Sequence, residues 1–325
     1  MNKRILTILI LILGLFLPKI SYAYWIWTPK TGKFVNPKYT VRKNPKDQFL
    51  VAMDYYQAKD YDKAIEEFQK LIKYFPGCFE AAESQYYIGM SYENRGNSYD
   101  AYLAYQKVID KYPFSGRVNE VIEREYAIAE RFMEGETRKI GKIPLPVENP
   151  SIEILRKVVE NAPYGKLAAK AQYKLGLVLK NLGYYLDAQD EFEKVIANYP
   201  NSEWVEPAKF QIAASLERVS PKVGYDQEYS KEAREKFEEF VSKHPDAELT
   251  QKAQEHIGSL KNKEARNNFD IAQFYFKNKA YGAAKIYYQI VIDYYPDTDF
   301  AEKSRGQLKA IEILEHSQKM KEKKK

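Results

Sequence analysis

Hydrophobic and polar positions recur along this chain in a block that ends, each time, in a proline. An alanine stands twelve residues before five of these prolines, and an aromatic residue stands eight residues before them. Residues four apart lie on one face of an α-helix, and proline lacks the backbone donor that would continue the helix. Each block therefore predicts an amphipathic helix that stops at its proline. The alanines are Ala64, Ala101, Ala188, Ala233 and Ala284, the aromatic residues are Phe68, Tyr105, Phe192, Phe237 and Tyr288, and the prolines are Pro76, Pro113, Pro200, Pro245 and Pro296.

A second helix is predicted before each of these, because small residues and tyrosines also recur at fixed distances from the prolines. The small residues, which let two helices approach closely, are Ala52, Gly89, Gly176 and Ala272, and the tyrosines are Tyr55, Tyr92 and Tyr275. A weaker copy of the block ends at Pro163, with Leu155 at the aromatic place and Ser151 at the alanine place. Helix pairs of this kind are typical of tetratricopeptide repeats, and neighbouring pairs must stack because one pair buries too little surface. The sequence therefore predicts an all-α fold, a tetratricopeptide-repeat right-handed solenoid of about six helix pairs.

The predicted solenoid occupies residues 46–317. Loops rich in glycine, proline or charge interrupt it at 135–150 and 220–229, and a single long helix is expected at 248–278. The other predicted helices are 46–59, 61–75, 80–96, 98–112, 117–134, 151–162, 166–182, 184–199, 204–219, 229–244, 281–295 and a terminal capping helix from 298 to about 317.

The first 23 residues have the pattern of a secretory signal peptide. Lys3 and Arg4 precede the apolar run 5–17, and Ser21-Tyr22-Ala23 forms a small-x-small cleavage site. The alternative, an uncleaved anchor, is disfavoured because the run is too short to cross a bilayer comfortably. We therefore expect cleavage after Ala23 and export to the periplasm or the inner face of the outer membrane. Acylation would require a cysteine at the cleavage point, and the single cysteine is Cys78.

Two segments flank the predicted solenoid. Residues 24–45 carry Trp25, Trp27 and several prolines, which predicts an extended aromatic arm that packs on the solenoid or on a partner. The alternative for this segment is a disordered linker. Residues 318–325 form a Lys-rich tail, which is expected to be solvated, although contact with anionic lipid is the alternative.

Charge and motifs exclude several functions. Removing residues 1–23 removes Lys3, Arg4 and Lys19, which lowers the net charge from +6 to +3, and much of the remainder lies in the tail. No clustered basic face for nucleic acid is apparent, and the mean hydropathy of −0.59 excludes a multi-span membrane protein. No phosphate-binding loop, nucleophile motif or metal-binding histidine pair occurs. We therefore expect no enzymatic activity, no cofactor and no metal.

Tyrosine is unusually frequent, with 28 residues, and several tyrosines occur as doublets. Neighbouring residues on a helix point about 100° apart, so one member of a doublet could pack inside while the other faces a partner. Tyr56 and Tyr87 are candidates to bind extended or unfolded peptide in this way, because tyrosine offers contact area at low entropy cost. The alternative is that they pack between helices. Trp25 and Trp27 are further candidates for partner binding.

The C-terminal half resembles the outer-membrane assembly factor BamD family. The resemblance is carried by 229–240, by His244-Pro245, by the long predicted helix, by 270–285 and by 293–298. The repeats around Pro76, Pro113 and Pro200 are similar to CpoB as well, the periplasmic repeat protein of the Tol–Pal system. The chain departs from the BamD family in having no acylatable cysteine near its N-terminus and in having six predicted repeats, where shorter members have five.

The BamD resemblance implies a non-enzymatic scaffold of the β-barrel assembly machinery. Its implied partners are the periplasmic domains of the barrel insertase and unfolded outer-membrane protein precursors, with membrane association that is at most peripheral. A CpoB-like adaptor of the Tol–Pal or envelope-maintenance system is the first alternative. A solenoid that regulates or scaffolds a cell-wall enzyme is the second.

Overall fold

The computed structural model describes residues 25–28, 33–35, 40–140, 143–144, 149–219 and 227–322. The predicted signal peptide, with Ala23, lies outside the described residues, as do the last three lysines. The chain divides into two compact units, Met1–Gly96 and Asn97–Lys325. Within the described residues, no helix is both long and apolar enough to cross a membrane.

The described residues of the first unit form a β-hairpin and three helices. In the hairpin, β1 pairs antiparallel with β2 and places Trp27 opposite Phe34. Helix α1 begins at Pro45, where proline is tolerated, and the side chain of Asn44 caps it by accepting from the backbone N–H of Asp47 at 2.8 Å. The elements are β1 Ile26–Thr28, β2 Lys33–Val35, α1 Pro45–Gln57, α2 Tyr61–Tyr74 and α3 Phe79–Asn94.

The second unit contains ten helices and a short hairpin within its described residues. Each helix packs against the next along the chain from α4 to α13. The elements are α4 Ser98–Lys111, α5 Val118–Met133, β3 Lys139–Ile140, β4 Ile143–Pro144, α6 Ser151–Asn161, α7 Ala168–Asn181, α8 Tyr185–Asn198, α9 Val205–Val219, α10 Glu228–Lys243, α11 Thr250–Lys277, α12 Tyr281–Tyr294 and α13 Asp299–Glu322.

The predicted fold class is confirmed: the described residues form helix pairs of the tetratricopeptide type. All helices but the last begin and end within two residues of the predicted positions, and α11 is the single long helix expected after Pro245. The prediction was wrong for the last helix. α13 continues to Glu322, so the tail predicted to start at residue 318 is helical over its first five residues. Lysine and glutamate are good helix formers, so charge there does not end the helix.

The recurring alanine and aromatic positions all lie in the core. The five repeat-defining alanines and the five aromatic residues eight before each proline are all 0% exposed, and so are Ser151 and Leu155 of the weaker copy. The close approach of helices is clearest at Gly176 in α7. A Cβ added there would lie 2.6 Å from the ring of Phe192 in α8, which no packed structure tolerates without movement.

The turn inside a helix pair requires a left-handed backbone. The residue seventeen before the repeat's final proline has a positive φ in four repeats. Glycine adopts this conformation without a steric cost, and other residues do so at a cost of about 1–2 kcal/mol. The four residues are Lys59 (60°), Gly96 (75°), Gly183 (89°) and Lys279 (59°).

Candidate protein-interaction surfaces

Tyr56 and Tyr87, the tyrosines predicted to face a partner, lie together inside the first unit. Both are half-buried, and their ring centroids are 5.2 Å apart in an edge-to-face arrangement. Tyr87 also stacks on Phe68 of α2 at 5.7 Å, and the Tyr56 hydroxyl accepts a hydrogen bond from Asn94 at 3.1 Å. The rings therefore pack between α1, α2 and α3 while part of each remains exposed. Their role in partner binding stays a prediction.

Trp25 and Trp27 lie on the surface. They are 58% and 51% exposed, and Phe34, which the hairpin places opposite Trp27, is 65% exposed. We name these three residues the aromatic face. Residues opposite one another in an antiparallel pair share a face of the hairpin. Tryptophan content alone indicated two of the three, and only the strand register adds Phe34.

An amphipathic cavity of about 370 Å³ lies between α8, α9 and α10 in the second unit. Ile196, Ala197, Ile212 and Phe240 form its apolar part. Charged side chains and one histidine form the rest, namely Glu193, Lys209, Lys236, Glu239, Lys243 and His244. An apolar pocket with charged groups at its edge suits one apolar side chain of a bound polypeptide with a polar or acidic neighbour. Sequence reasoning missed this cavity because its three helices contribute residues far apart in the chain.

His244, at the C-terminal end of α10, is held on one side of the cavity. Its Nδ1 lies 3.0 Å from Glu206 Oε1, and its Nε2 lies 3.3 Å from the Nζ of Lys209. Because the lysine ammonium can only donate, these partners assign the tautomer with the proton on Nδ1. The ring also packs against Phe240 at 5.2 Å. His244 is therefore part of the pocket wall and orients Lys209 toward the cavity.

The lysines give this cavity its positive side. Lys243 pairs with Glu239 at 2.6 Å. The pKa of Glu239 is lowered, first by the hydrogen bond from Lys243 and then by the charges of Lys243, Lys236 and Lys209. Lys236 is exposed and forms no salt bridge with any residue that the structure describes. Its ammonium is therefore available to an acidic partner.

A buried ion pair joins α10 to the long helix α11. The Arg234 guanidinium donates through Nε to Glu264 Oε1 at 3.1 Å and through Nη1 to Glu238 Oε2 at 2.9 Å. The Glu264 side chain is only 5% exposed. Burial lowers the pKa of Arg234, but the neighbouring carboxylates more than compensate, so that it is raised. Burial, followed by the charge of Glu264, raises the pKa of Tyr295 to about 12.

His256 of α11 makes a second contact between this helix and the two helices before it. Its ring stacks on Phe237 at 4.9 Å and 6°, and its Nδ1 lies 2.7 Å from Glu217 Oε2. The hydrogen bond to Glu217 raises the pKa of His256, although burial opposes the shift. Among the described residues, no group of three or more histidine, cysteine, aspartate or glutamate side chains is arranged to hold a metal ion.

These features define a tetratricopeptide-repeat protein. Two repeat-family models, both described as tetratricopeptide repeat, match residues 45–78 and 83–115. Proteins built from such repeats bind other proteins through the surfaces of stacked helix pairs.

The chain belongs to the YfiO family, described as outer membrane lipoprotein, whose model matches residues 149–325. The match covers more than half of the chain and starts just before α6. It agrees with the resemblance to BamD-like proteins. No curated protein shows a significant match to this chain.

Several solved structures resemble the chain at low identity. The C-terminal part of a repeat protein from Cytophaga hutchinsonii is 17% identical, with 80% of this chain and 87% of that chain covered and a TM-score of 0.34. A tetratricopeptide repeat protein from Parabacteroides merdae is 14% identical, with coverages of 82% and 97% and a TM-score of 0.33. YrrB, a repeat protein with an unusual peptide-binding site, is 15% identical, with coverages of 65% and 92% and a TM-score of 0.34. Likeness at this level carries no functional argument.

Proposed function

We propose that this chain is an exported, non-enzymatic scaffold of the machinery that assembles β-barrel proteins in the outer membrane. The observation that carries the proposal is the match of residues 149–325 to the outer membrane lipoprotein family. The partners we propose are the periplasmic domains of the barrel insertase and unfolded barrel precursors.

The amphipathic cavity between α8, α9 and α10 is the contact site we propose within the family-matched half. It combines the buried ring of Phe240 with the accessible ammonium of Lys236. Aromatic anchors in desolvated pockets supply most of the energy of protein interfaces, while exposed charges steer association. A partner segment with an apolar side chain beside an acidic one would meet both requirements.

Site-specific photo-crosslinking in intact cells tests this proposal. A crosslinker replaces Lys236 at the cavity, and a matched one replaces Lys252, an exposed residue of α11 that does not line the cavity. We expect the barrel insertase to be recovered from position 236 and not from 252. Recovery of Tol components or cell-wall enzymes alone would overturn the proposal in favour of the corresponding alternative.

Depletion of the chain gives an independent measurement. The abundance of outer-membrane β-barrel proteins should fall as the chain is depleted, and the parent chain should restore it. A variant with Lys209→Glu, Lys236→Glu and Lys243→Glu reverses the positive side of the cavity and should restore it poorly. Unchanged barrel abundance on depletion would contradict an assembly function.

A further inference from the structure

The aromatic face at the β1–β2 hairpin contains three of the six exposed large hydrophobic side chains among the first unit's described residues. Trp27 and Phe34 lie opposite one another on the hairpin, and Trp25 lies immediately before β1, two residues before Trp27. All three side chains are more than half exposed. A two-stranded hairpin with such a face is marginally stable in water alone and gains stability when the face is covered.

The charge around this face has one sign. Between Tyr24 and Lys46 the sequence contains six basic residues and no acidic residue. Arg42, Lys43 and Lys46 follow the hairpin and are exposed. Arg42 is the seventh residue after the end of β2, so even a fully extended chain keeps this cation within about 25 Å of the hairpin. We name Arg42, Lys43 and Lys46 the basic neck.

We propose that the aromatic face and the basic neck form a membrane-surface anchor that binds anionic lipid bilayers. Tryptophan favours the bilayer interface, where its apolar ring is shielded and its N–H remains near water. Cations close to an anionic surface each contribute about 1 kcal/mol of attraction. Aromatic residues alone or cations alone give marginal membrane binding, whereas the two together give reversible binding that is strong enough to anchor the chain.

The two most exposed aromatic residues lack this combination. Phe114 and Tyr164 are 100% and 99% exposed, but each stands alone in a turn of the second unit, next to a helix-ending proline. Single exposed aromatic residues are ordinary on protein surfaces. The basic stretch next to the hairpin is therefore what favours lipid over a protein groove as the occupant.

The position of the single cysteine bears on how the chain is attached to a membrane. Cys78 immediately precedes α3, its thiol donates to the carbonyl of Phe75 at 3.1 Å, and burial raises its pKa. It belongs to the turn between α2 and α3, where a lipid chain would disrupt the repeat. The anchor would take over the attachment that a lipidated cysteine provides to lipoproteins. This inference rests on the export and outer-membrane location in the proposed function, but not on the identity of the protein partner.

Vesicle flotation tests the anchor directly. The purified chain from Tyr24 to Lys325, the form left by cleavage after Ala23, is mixed with vesicles of phosphatidylethanolamine and phosphatidylglycerol, or of phosphatidylcholine alone. We expect binding to the anionic vesicles at low ionic strength and little binding to the neutral ones. Because the apolar run 5–17 is absent, binding cannot be due to an uncleaved leader.

Two variants separate the contributions. Replacing Trp25, Trp27 and Phe34 by serine should lower vesicle binding by about tenfold or more, because three partly buried aromatic rings are lost. Arg42→Gln with Lys43→Gln should lower binding about thirtyfold at low salt and have little effect at high salt, where charges are screened. The matched control Phe114→Ser with Tyr164→Ser should bind like the parent chain. Circular dichroism of each variant verifies that the helices are retained.

Tryptophan fluorescence provides a measurement that does not depend on the serine variant. The chain has three tryptophans, so Trp204→Phe leaves Trp25 and Trp27 as the only indole fluorophores. Their emission should shift to the blue on anionic vesicles and be quenched by lipids brominated in the acyl chain. A chain with Trp25→Phe and Trp27→Phe, which retains Trp204, should show neither change.

The result that overturns the anchor is absence of binding to anionic vesicles, or binding that the serine variant retains. Binding that is lost only when the lysines of the C-terminal tail are replaced would also overturn it, by assigning the contact to the tail. If the serine variant binds vesicles normally but loses a crosslinked protein in cells, the face belongs to a protein partner. Failure of the anchor leaves the crosslinking test at Lys236 unaffected, so the two proposals fail separately.

Discussion

The first helix pair, α1–α2, and the last, α11–α12, carry the same residue types at positions 220 residues apart. The inner rings adopt nearly the same arrangement, because Phe49 and Phe68 lie 5.6 Å apart at 52°, while Phe269 and Tyr288 lie 5.6 Å apart at 59°. The equivalent positions are Phe49 and Phe269, Ala52 and Ala272, Tyr61 and Tyr281, Ala64 and Ala284, Phe68 and Tyr288, and Pro76 and Pro296.

The two pairs differ in how their first helix begins. α1 has 13 residues and starts at a proline behind the Asn44 cap. α11 has 28 residues and extends about four turns further toward its N-terminus, where Glu264 and His256 contact α10. The same repeat pattern therefore includes a first helix that is capped at its N-terminus in α1, and one that an ion pair and ring stacking hold in α11. The comparison separates what the repeat determines from what its neighbours add.

Breaking the ion pair that holds the extended part of α11 should have the largest effect. Arg234→Met leaves the carboxylate of Glu264 buried without its partner, which should cost about 3–5 kcal/mol in the free energy of unfolding. Urea unfolding followed by circular dichroism measures the loss. The double variant Arg234→Met with Glu264→Met should recover most of it. A loss below about 1 kcal/mol for the single variant would show that packing alone holds this part of α11.

The next largest effect should come from the small-residue position of the first helix. The first and last pairs have alanine there, but α7 has Gly176, against which the ring of Phe192 packs. Gly176→Ala should destabilise the chain by about 1–3 kcal/mol through overpacking. Gly258→Ala in α11, where a Cβ meets open space, should stabilise it by about 0.5–1 kcal/mol. Equal effects of the two substitutions on the thermal midpoint would contradict the close approach.

Exchanging the central aromatic residue between the two pairs should have opposite effects. The hydroxyl of Tyr288 is buried and makes no hydrogen bond within the described residues, whereas Phe68 has no hydroxyl. Phe68→Tyr should cost about 1–3 kcal/mol, and Tyr288→Phe should gain about 1 kcal/mol. Denaturant midpoints measure both changes. A loss on Tyr288→Phe would reveal that this hydroxyl has a partner in solution.

Smaller effects are expected at the turn inside the two pairs, which is the same in both. Lys59 and Lys279 have φ values of 60° and 59°, a left-handed conformation that glycine adopts without a steric cost. Lys59→Gly and Lys279→Gly should each stabilise the chain by about 0.5–1 kcal/mol, after the entropy cost of glycine is subtracted. Gly183→Lys, at the equivalent turn of α7–α8, should lower the thermal midpoint instead.

The smallest effect should be a pH dependence confined to the extended part of α11. The pKa of His256 is raised in the folded chain, so its stabilisation is complete below the unfolded value of about 6.5. It is lost as the pH rises through the folded value, so stability should fall on going above pH 6.5. His256→Gln should flatten that part of the stability profile. An unchanged profile would place the titration elsewhere.

Much of the fold could be predicted because its signals are local. The alanine, aromatic and proline positions recur at helical spacing, so helix bounds and the buried face follow from short windows of sequence. The long helix after Pro245 follows from the absence of any proline and the presence of only Gly258. The end of α13 was predicted too early, because a lysine-rich segment has the composition of a disordered tail although lysine itself favours the helix.

The candidate surfaces were harder to predict, because they depend on which residues meet. The sequence around Tyr56 and Tyr87 does not distinguish them from surface tyrosines. Only the packing of α1, α2 and α3 places their rings between helices. The cavity beside Lys236 draws its wall from three helices. A helical period identifies the residues that share one face of a helix, but it does not identify the residues of other helices that pack against that face.

By itself, the sequence determined that this protein is built from tetratricopeptide helix pairs, where every described helix but the last begins and ends to within two residues, and which residues form the repeating core, because these depend on spacing within one or two turns. Only the tertiary structure decided that Arg234 pairs with Glu264, that Trp27 lies opposite Phe34, and that three lysines surround one apolar cavity. Those contacts bring together residues up to 34 positions apart, and their geometry depends on the register and packing of whole elements, which local periodicity does not specify.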